Sequence, residues 1–192
     1  MTNHIHLVVD PGENEQNLAQ LIKRLAGRQT RYVNKLEKRT GSLWEGRYKS
    51  SIINSKEYLL ACCRYVELNP VLAGVVIDPA EYRWSSCGRK TGVTPQEWLD
   101  YDPCFMEIDS DAMTRFTKYR EWIMKEIPEE ELDLIRKSIQ RGQLTGSLRF
   151  IDEIENKTNR RIEFRGQGRP KAISVKEPFR IGEKGSDLFL LR

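Results

Sequence analysis

Apolar positions change their period several times along the chain, and each change predicts an element. His4 to Val9 is short, apolar and β-branched, which predicts a strand, and Asp10, Pro11 and Gly12 end it. From Asn17, a suitable N-cap, to about Lys38 the apolar residues are Leu18, Leu21, Ile22, Leu25, Tyr32, Val33 and Leu36. That spacing predicts a helix with a weak point at Gly27, closed by Thr40 and Gly41. Leu43 to Ile53 suits a loop running into a strand. Ser55 is a good N-cap for a helix from Lys56 to Leu68, and Pro70 is expected to stop it. The stretch to about Tyr101 mixes Pro, Gly and Trp and predicts irregular structure. The expected organisation is a unit over 1–95, a helical extension with a basic arm over 96–171, and a tail over 172–192.

Charge changes the picture more than composition does. The net charge of +4 and pI near 8.9 lean only weakly towards a polyanionic partner. Its distribution says more: residues 23–49 hold nine bases against two acids, while residues 96–134 hold twelve acids against four bases. Arg24, Arg28, Arg31 and Lys35 recur at helical steps, which predicts either a solvated face or a phosphate-binding one. The adjoining Arg47, Tyr48 and Lys49 favour phosphate. Trp44 and Tyr48 suit stacking on unpaired bases or packing beneath a loop. Arg160, Arg161, Arg165, Arg169 and Lys171 form a second basic cluster, which reads as a DNA-contacting arm. No apolar run is long enough to span a bilayer, no signal peptide is visible, and Cys62, Cys63, Cys87 and Cys104 read as reduced cytoplasmic thiols.

The candidate chemistry starts with the only two histidines, His4 and His6. On a strand, residues two apart leave the same face, roughly 7 Å apart. Such a pair either converges on one divalent ion or sits exposed on an edge strand. On the helix after Ser55, Tyr58, Cys62, Tyr65 and Asn69 share a stripe, and Tyr65 and Asn69 are one turn apart. A phenol oxygen can attack phosphorus and later leave again. An amide oxygen one turn away could complete the coordination of a metal that polarises the phosphate. The commoner use of such a tyrosine is packing between helix and sheet.

Three motifs stand in order: Met1 to Val9 (MTNHIHLVV), Leu43 to Ser50 (LWEGRYKS), and Arg64 to Gly74 (RYVELNPVLAG), followed by Tyr82 to Ser86 (YRWSS). Residues 1–90 thereby resemble the single-tyrosine HUH transposases, specifically the REP-associated, insertion-sequence 200-like branch. Weaker similarity runs on through Gly146 to Phe150 and Gly168 to Pro170. The resemblance implies an α+β fold whose ferredoxin-like antiparallel sheet has helices on one face and carries the histidines on its central strand. It implies that Tyr65 attacks single-stranded or hairpin DNA, giving a 5′-phosphotyrosine and a free 3′-hydroxyl. His4, His6 and Asn69 would hold Mg²⁺ or Mn²⁺, in a monomer or homodimer. It also implies that a strand and a helix preceding the histidine strand in relatives are missing here, leaving that strand without its neighbour. Two other readings fit the residues: a DNA-binding remnant that does not cleave, and a metal-dependent phosphodiesterase that uses activated water.

Overall fold

The computed structural model describes residues 4–14, 16–95, 97–159 and 162, with the backbone alone for residues 55, 56 and 188–191. The first strand, β1, is Leu7–Val9, shorter than the apolar run that predicts it. His4 to His6 precede it and lie outside the ladder. Helix α1 is Gln16–Leu36. Asn17, the expected cap, lies inside the helix, and the Asn14 side chain accepts from the Gln16 amide at 3.0 Å just ahead of it. Strand β2, Ser50–Ile53, emerges from the loop as expected.

Helix α2, Ser55–Leu72, is the centre of the molecule. Asn54, not Ser55, precedes it as cap residue, and Pro70 lies inside it rather than stopping it. A proline this near the C-terminal end deprives only the Val66 carbonyl of its donor, so the helix runs on to Leu72 and closes at Gly74, which has φ +67°. Both long faces of α2 are covered, as expected of a helix with apolar residues all round. On one side Leu59, Cys62 and Tyr65 pack with Ile53 of β2, with Val8 of β1, and with Ile135 and Ile139 of α6 (Glu129–Arg141). On the other, Leu60 and Leu68 pack with Phe105 of α4 (Pro103–Met106) and with Tyr119, Trp122 and Ile123 of α5 (Ala112–Ile123).

Between them lies the stretch read as irregular. It holds a 3-10 turn, Pro79–Glu81, and the one-turn helix α3, Cys87–Lys90. Gly92 follows at φ +72°, where a Cβ would come 2.8 Å from the Phe116 ring, so only glycine fits. Helix α7, Leu148–Thr158, comes after α6.

The sheet differs from expectation in its order. Its three strands run β1–β3–β2, where β3 is Leu188–Leu191, and both pairings are antiparallel. Leu7 to Val9 pair with Leu191 to Phe189, and Ser50 to Ile53 pair with Leu191 to Leu188. Among the described residues the strand that follows the histidines is thus at an edge and not at the centre, because β3 takes the middle position. On the far side of β2, Thr145 adds a parallel bridge to Ile53, and Ser51 Oγ lies 2.7 Å from Thr145 Oγ1. The α+β class stands in helix-rich form with few strands, whereas the described strands do not form a ferredoxin-like sheet.

Candidate functional site

His4 and His6 stand just before β1, and β1 packs on α2 through Val8. This packing brings three rings into a row. The His4 and His6 rings are edge to face with centroids 4.9 Å apart, and His6 meets the Tyr65 ring edge to face at 5.6 Å. Residues some sixty positions apart in sequence therefore meet, although the histidines stand before the strand and not on one face of it as expected.

Tyr65 is only 4% exposed and belongs to the core between α2 and the sheet. Asn69 lies one turn further along α2, and its amide nitrogen donates to the Tyr65 carbonyl oxygen. Tyr58 is half-buried against the same core, and Cys62 is fully buried.

The donor chemistry suits a divalent ion in part. Two imidazoles lie side by side, and Asn69 offers an amide oxygen on the same helix stripe, a mixed nitrogen and oxygen set that water or phosphate oxygens would have to complete. Among the described residues no third His, Cys, Asp or Glu joins them.

The basic residues lie elsewhere, on α1 and the loop after it. Arg24, Arg28, Arg31, Lys35, Arg47 and Lys49 are exposed, and Tyr48 is half in solvent. Gln20, Lys23, Arg24, Gly27 and Arg31 line an open groove of about 760 Å³. Gly27 keeps that groove open, since a Cβ there would meet nothing within 4 Å. The apolar stripe of α1 is not a core face: Leu18 is buried, but Leu21, Leu25, Tyr32 and Leu36 are exposed. Trp44 packs against the helix and donates from Nε1 to the Ala26 carbonyl at 3.3 Å, which uses its polar edge locally. Arg160, Arg161, Arg165, Arg169 and Lys171 lie outside the described residues.

The family comparison bears on the part of the chain that holds this row of rings. Residues 1–69 match the family model described as "Transposase IS200 like". Over these residues, about a third of its length, the chain is similar to the IS200-like transposases. The match spans His4, His6, Tyr65, Asn69 and the whole basic segment. No curated protein and no solved structure matches the chain. No helix among the described residues is long and apolar enough to cross a membrane.

One cluster in this chain escapes sequence reading altogether. Glu67, fully buried, accepts from Ser86 Oγ at 2.6 Å and Tyr119 Oη at 2.8 Å. Lys90, also buried, reaches Asp102 at 2.6 Å and Glu67 at 3.6 Å. Burial opposes the Lys90 charge, but the Glu67 carboxylate, with Cys63 and Asp102, outweighs it and holds the ammonium above the usual lysine range. Burial also pushes the Cys63 thiol up to about 12 and raises Cys62 and Cys87. None of the four cysteines is in a disulfide. Beside this cluster the buried Arg64 lays its guanidinium 4.9 Å from the Trp122 ring centre. An ionisable residue amid apolar ones on α2 was the available signal, but its partners come from α3, α5 and the loop before α4.

Proposed function

We propose that the row of His4, His6 and Tyr65 is the strand-transfer site of a transposase of the REP-associated type, acting on single-stranded or hairpin DNA in the cytoplasm. The observation that carries this reading is the 5.6 Å approach of the His6 and Tyr65 rings, within a segment that matches the family. Tyr65 Oη forms a bond to phosphorus and gives up its proton, while the bond from phosphorus to O3′ breaks and O3′ leaves with the electron pair and takes a proton. The product is a 5′-phosphotyrosine link and a free 3′-hydroxyl. His4, His6 and the Asn69 amide would hold Mg²⁺ or Mn²⁺, which supplies polarisation of the scissile phosphate. The groove on α1, together with Arg28 and Lys35 of that helix, Arg47, Tyr48 and Lys49 of the loop after it, and Arg165, Arg169 and Lys171 further along the chain, would hold the rest of the strand. In this reading β1 and β2 derive from a ferredoxin-like sheet, and the active form is a monomer or homodimer.

At 4% exposure Tyr65 has to move towards solvent before it can reach a phosphate. That burial favours a second reading, a DNA-binding member that does not cleave. Incubation with a 3′-labelled hairpin oligonucleotide and Mn²⁺ separates the two. Strand transfer gives an SDS-resistant adduct with the wild type and none with Tyr65→Phe, which keeps DNA binding. Binding without any adduct from the wild type establishes the second reading. An adduct that survives Tyr65→Phe assigns the nucleophile elsewhere, and Tyr58 is then the next variant. Cleavage without an adduct, unchanged in Tyr65→Phe, points instead to attack by water.

A further inference from the structure

The element that ties the histidines to Tyr65 comes from the opposite end of the sequence. Strand β1 has three residues, and its ladder partner among the described residues is β3. β2, which leads through Asn54 straight into α2, pairs with the other edge of the same strand. β1 and β2 do not pair with each other, since β3 lies between them. Leu190 is opposite Val8 on one side and Ser51 on the other.

A three-residue strand has too few hydrogen bonds to hold its place unaided. One contact of Val8 with the core fixes its depth but not its register. The run Leu188-Phe189-Leu190-Leu191 is apolar and uncharged, the composition suited to a strand covered on both edges.

We propose that β3 is the positioning element of the His4–His6–Tyr65 site: inserted in cis between β1 and β2, it sets the histidines against α2. The site lies within residues 1–69, yet its geometry depends on residues 188–191. The inference about the sheet stands on the pairing alone, and its extension to metal binding rests on the function proposed above.

The test uses the full chain in three measurements. In hydrogen exchange, Leu190→Pro removes an amide donor from a central strand, where proline is not accommodated. The amides of Leu7–Val9 and Ser50–Ile53 should lose protection while those of α5 keep theirs, and Leu190→Val should restore the wild-type pattern. Unchanged protection of β1 and β2 in Leu190→Pro would overturn the proposal. Should the proline variant unfold throughout, crosslinking decides. Val8→Cys combined with Leu190→Cys should oxidise to a disulfide within one chain, which neither single variant forms. No crosslink, or one joining two chains, would overturn insertion in cis. Finally, Mn²⁺ alone serves as the probe of the histidine pair. Its affinity should fall at least about tenfold in Leu190→Pro, the size of effect seen when the support of metal ligands is lost, and recover in Leu190→Val. Full affinity despite an unprotected β1 would overturn the coupling to the histidines. A wild type that binds no Mn²⁺ and forms no adduct would count against the proposed function, while exchange and crosslinking still judge the strand.

Discussion

Tyr65 and Glu67 stand two positions apart on α2 and face opposite sides of it, so one helix serves two unrelated clusters. Tyr65 meets the imidazoles, whereas Glu67 lies in a polar cluster whose members are nearly all satisfied. The cluster is sensitive to the loss of any single charge. Lys90→Met leaves the Glu67 and Asp102 carboxylates without their cation, and it should cost about 3–5 kcal/mol, as removal of one partner of a buried pair does. Urea denaturation measures this, and a loss below about 1 kcal/mol would contradict the account. Tyr65→Phe differs in kind: it removes only a hydroxyl, so stability should change far less than with Lys90→Met, while any covalent adduct disappears. The phenol and the amide were legible as a pattern, because helix periodicity fixes which side chains share a face, whereas the histidines precede the strand on which their spacing was read. The exposure of Tyr65 was not legible, since burial depends on what packs over the helix.

At the scale of elements, α1 carries the basic face and α2 the candidate chemistry. The bases on α1 should give binding that weakens with salt, with a log–log slope of about −0.7 for each phosphate neutralised on a single strand. Arg28→Ala and Arg31→Ala should weaken all sequences alike, as fluorescence anisotropy would show, and affinity independent of salt would remove α1 from the interface. Gly27→Ala has two expected effects. It should raise stability by about 0.5–1 kcal/mol, because Gly27 lies in an exposed helix interior with open space around it. It should also weaken DNA binding, because the methyl group partly fills the groove. A stabilised variant with unaltered binding would show that the strand does not enter the groove at Gly27. The α1 periodicity was readable but its meaning was not: the stripe Leu21, Leu25, Tyr32 and Leu36 has the spacing of a core face, yet it is exposed. Periodicity reports which residues share a side of a helix, not whether anything covers that side. For α2 the local signals at Ser55 and Pro70 misplaced both ends, because packing on both faces outweighs the preference of one cap and one proline.

For the whole molecule, alkaline pH is the condition that should expose the buried clusters. Burial raises the Cys63 thiol from an ordinary value of 9.0 to about 12, and Tyr119 and Lys90 are raised as well. Between the ordinary and the raised value the unfolded chain has already released the proton that the folded chain keeps. Stability is therefore full below about pH 9 and falls as pH rises, by up to about 1.4 kcal/mol per pH unit for each such group. Melting temperatures measured from pH 7 to 11 should decline from near pH 9, and a flat profile would contradict the burial of these groups. By itself the sequence determined which residues are candidates for chemistry, that charge is concentrated on α1 and the loop after it, and that the apolar run ending at Val9 and the helix bearing Tyr65 are able to pack together. These follow from local periodicity and side-chain type, which neighbours in the chain fix. Only the tertiary structure decided that Leu188–Leu191 lies between β1 and β2, that among the described residues the strand following the histidines is therefore at an edge, and that Glu67 meets Lys90. Those contacts join segments far apart along the chain, and their free energy comes from burying apolar surface and pairing backbone groups that no local pattern records.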